Sequence, residues 1–206
     1  ATDLFVFDQT AMDTLDYTGA SLNRGSKGVL MGTGPAIRDL PENFSLPEGV
    51  AMPHGVGTVA PFCPGCLVVS APPFEDEPGA AARLASAEAF AAWPLVVVAD
   101  DASIAGDVTR FLWTTFTRFA PGGDVHPART RVGRHHLAYE APIAIDARMK
   151  PWYPKEVRPL RSTAERVDSR WGELFPAGMV QDPRPCGEPE EDAARLPLVR
   201  SGFPLV

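Results

Sequence analysis

The chain has 206 residues, 45% of them hydrophobic, and a formal net charge of −7. The apolar share suffices for a buried core and argues against global disorder. The acidic balance argues against nucleic acid and anionic lipid, since both call for a basic face.

No apolar run approaches the roughly 20 residues needed to cross a bilayer. No charged segment followed by an apolar stretch opens the chain as a secretory signal would. The Ala1 start reads as removal of an initiator Met before a small residue, which would make it a natural gene start. Three cysteines, Cys63, Cys66 and Cys186, are an odd number. They predict no disulfide framework and a reducing, cytoplasmic setting.

In chain order, the apolar run Leu4-Phe5-Val6-Phe7 predicts a strand, and Gly28-Val29-Leu30-Met31 a second. Residues 35–62 are rich in Pro and Gly and are expected to be mostly loop. Leu67-Val68-Val69 predicts a third strand. The alanine-rich stretch 78–93 predicts a helix, with Pro78 in its first turn and Pro94 ending it. The β-branched run at 95–99 predicts a strand buried on both faces.

Ser103 is the expected cap of the next helix. Ile104, Val108, Phe111, Leu112, Thr115, Phe116 and Phe119 recur at helical spacing along it, and Pro121-Gly122-Gly123 stops it. An irregular loop then leads to a strand over 137–147. A last helix is expected over 163–174, and the proline-rich tail has no periodicity. Strands alternating with helices give an α/β fold class: a layered domain with a mixed β-sheet flanked by helices, plus a Pro-rich irregular C-terminal tail.

Four clusters carry possible chemistry. Gly25-Ser26-Lys27 places small residues before a lysine, where backbone N–H groups and an ammonium suit an anion; the plain alternative is a Gly-rich turn with a solvated lysine. Cys63-Pro64-Gly65-Cys66 matches half of a zinc knuckle. A full site would need ligands from His54, His126, His135, His136 or Cys186. A CxxC can also be a redox pair, though its usual place is a helix start and this one precedes a strand. The plain reading is two semi-buried thiols at a tight turn, and no metal is assigned. His135-His136 near Glu140 suggests acid–base work. Adjacent strand residues face opposite ways, however, and an exposed basic cluster with Arg129, Arg131 and Arg134 explains them as well. Arg118 sits where a helix C-terminus favours a cation. No catalytic residue is assigned.

Several of these segments occur in a telling order. Val96-Val97-Val98-Ala99-Asp100-Asp101 leads to a helix containing Trp113-Thr114-Thr115 and ending Thr117-Arg118. Pro121 and Asp124 follow, and then Ile145-Asp146-Ala147-Arg148-Met149-Lys150. This order resembles the C-terminal part of the UbiD-type decarboxylases, where a VVVVDDD strand precedes a WAxTTRxxPxxD helix and an xxIDAxxK strand. The resemblance covers roughly residues 1–155 and is strongest over 95–151. In better-known members a GSK stretch follows the TTR helix; here it lies near the N-terminus.

The resemblance implies residues 1–174 as a UbiD-like C-terminal α/β domain and 175–206 as an extended tail packed on a partner. It implies prenylated FMN as cofactor, held mainly by a partner subunit, with Gly25, Ser26 and Lys27 as the residues here that would meet its phosphate. It also implies that the Arg118 and Asp124 loop helps form an interface between protomers. The segments that carry the family's catalytic Arg and Glu residues and its metal ligands are not found in this sequence. The expectation is therefore a small accessory subunit of a heteromeric UbiD-like (de)carboxylase acting on aromatic or unsaturated carboxylic acids. Its partner would be a larger catalytic subunit, in a homo- or hetero-oligomer. The alternative is a standalone oligomeric scaffold that kept the fold without the chemistry.

Overall fold

The computed structural model describes residues 2–11, 24–32, 35–36, 38–133, 136–154 and 159–175. The chain divides into two units, Ala1–Pro154 and Lys155–Val206. The first holds a five-stranded sheet. Its strands are β3 (Val59–Cys63), β4 (Cys66–Ser70), β5 (Leu95–Ala99), β6 (Val125–Gly133) and β7 (His136–Asp146), in the order β3-β4-β5-β7-β6. The β4/β5 and β5/β7 pairs are parallel, and the two edge pairs are antiparallel. This is the mixed α/β sheet that the alternating pattern predicts.

The valine runs are explained by burial on two sides. Leu67, Val69, Val96, Val98 and Ala144 point to one face, where α1 (Ala80–Ala85), Phe90 and Trp93 cover them. Val68, Val97 and Ala147 point to the other, against Ile104 and Phe111. Phe111 lies on α2 (Val108–Arg118). Period-2 alternation in a doubly covered strand produces such a run with no polar gaps.

Three expected elements differ in extent. The 78–93 helix ends at Ala85 and resumes as a short 3-10 turn at Glu88–Phe90. At the break, the Ser86 hydroxyl donates to the carbonyl of Ala128 on β6. The helix expected from Ser103 onward splits in two because two aspartates cap it in succession. Asp101 accepts from the Ser103 N–H ahead of a 3-10 turn, and Asp107 accepts from the Arg110 N–H at the start of α2. The helix expected over 163–174 is α3 (Arg161–Ser169) followed by α4 (Trp171–Leu174). These two helices lie in the second unit, where Trp171 packs on Phe175 with ring centroids 4.1 Å apart.

Two strands lie where loops are expected: β3, which begins inside the 35–62 stretch, and β6 in the stretch after Gly123. Both are sheet edges carrying a proline, Pro61 and Pro127. An edge strand tolerates a missing N–H, and charged residues such as Arg129 and Arg131 protect it from stray pairing.

Before the main sheet, β1 (Thr2–Thr10) and β2 (Gly25–Gly32) form a separate antiparallel pair. The tail from residue 176 onward, with Cys186, and the segment 12–23 lie outside the described residues.

Candidate functional site

Open α/β sheets concentrate chemistry at the carboxyl ends of their parallel strands. At that end of β5 and β7 lies a cluster of charge: Asp100, Asp124, Asp146, Arg148 and Lys150. Arg148 and Lys150 have side chains 0% exposed, and Asp146 1%. The motif Asp146-x-Arg148-x-Lys150 leaves the strand with charges two residues apart, and all three turn inward.

Arg148 is fully engaged. Its Nε and Nη2 donate to the two carboxylate oxygens of Asp146, at 3.0 and 2.6 Å. Its Nη1 donates to the carbonyls of Pro72 and Glu77, at 2.8 and 3.0 Å, and Nη2 reaches Pro78 at 3.4 Å. The guanidinium also lies 5.3 Å from the centre of the Phe74 ring. It therefore ties the 72–78 loop after β4 to the end of β7.

Lys150 ties a second element. Its ammonium donates to the carbonyls of Arg118 and Asp146, at 2.8 and 2.5 Å, and meets Asp124 Oδ2 at 3.0 Å. The Tyr153 hydroxyl donates to the same Arg118 carbonyl at 2.6 Å. That carbonyl closes α2, where a cation is favoured. Burial pulls Lys150 down and pushes Asp124 up, each toward its neutral form, while their mutual attraction opposes both shifts. All three ammonium donors and all five guanidinium N–H groups have acceptors, so neither cation has a donor left for a substrate.

The outer rim is more accessible. Asp100 accepts from Arg118 Nη1 at 3.1 Å and from the Met149 N–H at 2.8 Å. Asp101 and Arg110 form an exposed pair at 3.7 Å, an arrangement that contributes little energy. His126, half-buried on β6 beside this cluster, has its imidazole pKa lowered chiefly by burial, with Asp146 and Asp124 pulling the other way.

The residues singled out from sequence disperse. Gly25, Ser26 and Lys27 open β2, and Gly25 and Lys27 pair with Thr10 and Phe7. Ser26 is buried, and its hydroxyl accepts from the Gly122 N–H at 2.8 Å. A Cβ on Gly122 would sit 3.2 Å from Ser26, and one on Gly28 would sit 3.0 Å from Pro121. The segment thus packs onto the loop after α2, next to Asp124. Ser26 is held within the chain as an acceptor, and of the three residues Lys27 alone is exposed.

Glu140 on β7 pairs with Arg129 and Arg131, which lie on strand β6 and not on the loop expected there. His135 lies outside the described residues. Cys63 and Cys66 close a tight turn between β3 and β4. No group of three or more metal-ligating side chains occurs among the described residues.

The Ile145–Lys150 segment stands out in the sequence as a motif but not as a lock. The available signal was three charges at spacing two directly after an apolar strand, with Asp124 following a Gly-Gly stop.

Two apolar surfaces stand open. On α2, Val108, Leu112, Trp113 and Phe116 are 47–67% exposed, while Phe111, Thr114 and Thr115 face inward. On the β1/β2 pair, Phe5, Phe7, Val29 and Met31 share one face and are 45–56% exposed. A two-stranded sheet is marginal on its own and gains stability only by packing.

The class defined by these features is an open mixed α/β domain whose strand ends are closed by an internal ion lock and which, among the described residues, exposes apolar side chains on α2 and on the β1/β2 pair. No family model matches the chain, and no solved structure matches it. Among curated proteins, a 4-hydroxybenzoate decarboxylase subunit from Chlamydia pneumoniae is 46% identical over 175 residues, covering 84% of this chain and 29% of that protein. Uncharacterized proteins of Chlamydia caviae and Chlamydia trachomatis are 42% and 40% identical, each over 84% of this chain and 29% of their own length. The chain thus spans less than a third of the curated relatives that it matches. No helix among the described residues is long and apolar enough to cross a membrane.

Proposed function

We propose that this chain is the accessory part of a UbiD-like decarboxylase that acts on an aromatic or unsaturated carboxylic acid, 4-hydroxybenzoate being the first substrate to test. The observation that carries the reading is the 46% identity to a decarboxylase subunit over 84% of the chain. The order of the valine strand, the Thr-Arg helix and the Ile-Asp-Ala segment agrees with it.

The role is to dock and to shape, not to perform the bond-breaking step. The relatives carry far more polypeptide than this stretch, and the open faces of α2 and of the β1/β2 pair suit burial against such a remainder. Prenylated flavin, which in this family takes up the electrons released as carbon dioxide leaves, would be held by that larger part. Of the flavin-facing residues expected from the family, Lys27 retains an exposed charge. The committed donors of Arg148 and Lys150 favour an accessory role, because neither offers a hydrogen bond to a reacting carboxylate.

The test is native mass spectrometry of the assembly isolated from its own host, together with a decarboxylation assay. A larger flavoprotein, or one longer polypeptide containing this sequence, should accompany the activity, and the purified chain alone should have negligible turnover. A colourless homo-oligomer with no such companion would overturn the reading in favour of a scaffold. Replacing Trp113 and Leu112 on the exposed side of α2 with Glu should weaken assembly by about 30-fold or more, the scale of losing one hot spot of ~2 kcal/mol. The unfolding midpoint should stay unchanged.

A further inference from the structure

Away from the charge cluster and the open faces, Cys63 and Cys66 close the two-residue turn joining β3 to β4, and their Cα atoms are register partners. Pro64 takes the first turn position and Gly65 the second, with φ +79°, the pattern of a type II turn. Such a turn holds its end Cα atoms within about 7 Å, and a disulfide needs about 4.4–6.8 Å.

The turn is fixed before any bond forms. The Gly65 N–H donates to the Pro41 carbonyl at 2.8 Å, and the Gly65 carbonyl accepts from the Leu95 N–H at 3.1 Å. A Cβ on Gly65 would lie 2.8 Å from Leu40 Cδ2, so this backbone has little room to rearrange. Both thiols are free. Their environments differ: Cys63 is exposed and Cys66 is buried.

We propose that Cys63 and Cys66 form a reversible dithiol–disulfide pair that exchanges with low-molecular-weight disulfides. The exposed Cys63 thiolate attacks such a disulfide, forming a mixed disulfide and releasing one small thiol. Cys66 then gives its proton to solvent, and its sulfur attacks the Cys63 sulfur and expels the second small thiol. Two protein thiols are oxidised and one small disulfide is reduced to two thiols, so electrons and protons balance.

The asymmetry assigns the order of events. Burial pushes the Cys66 thiol up to about 12, with the neighbouring Cys63 adding to the shift. Cys66 is therefore a poor first nucleophile, and ring closure is the slow step. The same burial denies the reduced pair the thiolate stabilisation that makes some dithiols strong oxidants.

The test treats the full chain, with Cys186→Ser as background, with oxidised glutathione and follows it by peptide mass spectrometry. The peptide holding both cysteines should become lighter by two hydrogen atoms and revert with dithiothreitol. Closure should speed about tenfold per pH unit between about pH 7 and 9, as the thiolate fraction of Cys66 rises. Cys66→Ser should stop at a stable glutathione adduct on Cys63, and Cys63→Ser should give no adduct. A wild-type pair that keeps the Cys63 adduct without closing would overturn the proposal. So would stoichiometric zinc that is lost in Cys63→Ser. The wild-type measurement stands whether or not either variant folds.

Discussion

Replacing Arg148 with Met tests the ion lock directly. The side chain is 0% exposed and supplies five hydrogen bonds, two to the Asp146 carboxylate and three to carbonyls in the 72–78 loop. Met fills much of the volume but takes both guanidinium bonds from the buried Asp146 carboxylate, which keeps only the more distant Lys150 ammonium at 3.9 Å and the residue 148 N–H, and it leaves the three carbonyls without that donor. Breaking a buried pair from one side costs about 3–5 kcal/mol, a large part of the usual net stability of about 5–15 kcal/mol. For a chain of this size that corresponds to a fall in melting temperature of roughly 10 °C. Urea unfolding followed by far-UV circular dichroism gives the number. Adding Asp146→Asn to Arg148→Met should cost less than the sum of the two single changes, because the stranded charge is gone. A single-variant loss under about 1 kcal/mol, or strict additivity, would show that the pair is not held in a desolvated site.

Other consequences follow from single atoms. Thr115 Oγ1 is buried without a hydrogen-bond partner among the described residues, so Thr115→Val should stabilise the protein by about 1 kcal/mol in urea unfolding; destabilisation would mean that the hydroxyl is satisfied in solution. Gly65→Ala places a side chain at φ +79° and 2.8 Å from Leu40, and should cost about 1–2 kcal/mol, read from the urea midpoint. His126 has a lowered folded-state pKa, so the folded protein binds fewer protons than the unfolded chain between that pKa and about 6.5. Its contribution is present above about pH 6.5 and is lost as pH falls toward the folded pKa. Unfolding midpoints of wild type and His126→Gln should therefore diverge below about pH 6.5; parallel profiles would refute the burial of this imidazole.

The sheet's centre was legible because its code is local. Leu67-Val68-Val69 and Leu95-Val96-Val97-Val98 are short β-branched runs, and such runs need no partner to declare themselves as strands covered on both faces. The edges were not legible. In β3 and β6 the residues include Pro, Arg, Thr and His, which read as loop until a neighbouring strand supplies the hydrogen bonds. The apolar stripe of α2 was visible, but the sequence did not say that Phe111 faces inward while Val108, Leu112 and Phe116 face out. Helical spacing reports a face and not what covers it.

The amino-acid order by itself determined the alternation of strands and helices, the buried valine core and the likeness to a decarboxylase segment, since each rests on residues adjacent in the chain. Only the tertiary structure decided the fate of the charges. Asp124, Asp146, Arg148 and Lys150 stand out in the sequence as motif residues, but nothing there shows that the fold brings them together out of water. There the cost of desolvation makes every unpaired donor expensive, and the chain answers by pairing them all. The contact of Ser26 is of the same kind: its hydroxyl meets Gly122, 96 residues away, and no local pattern records so distant a partner.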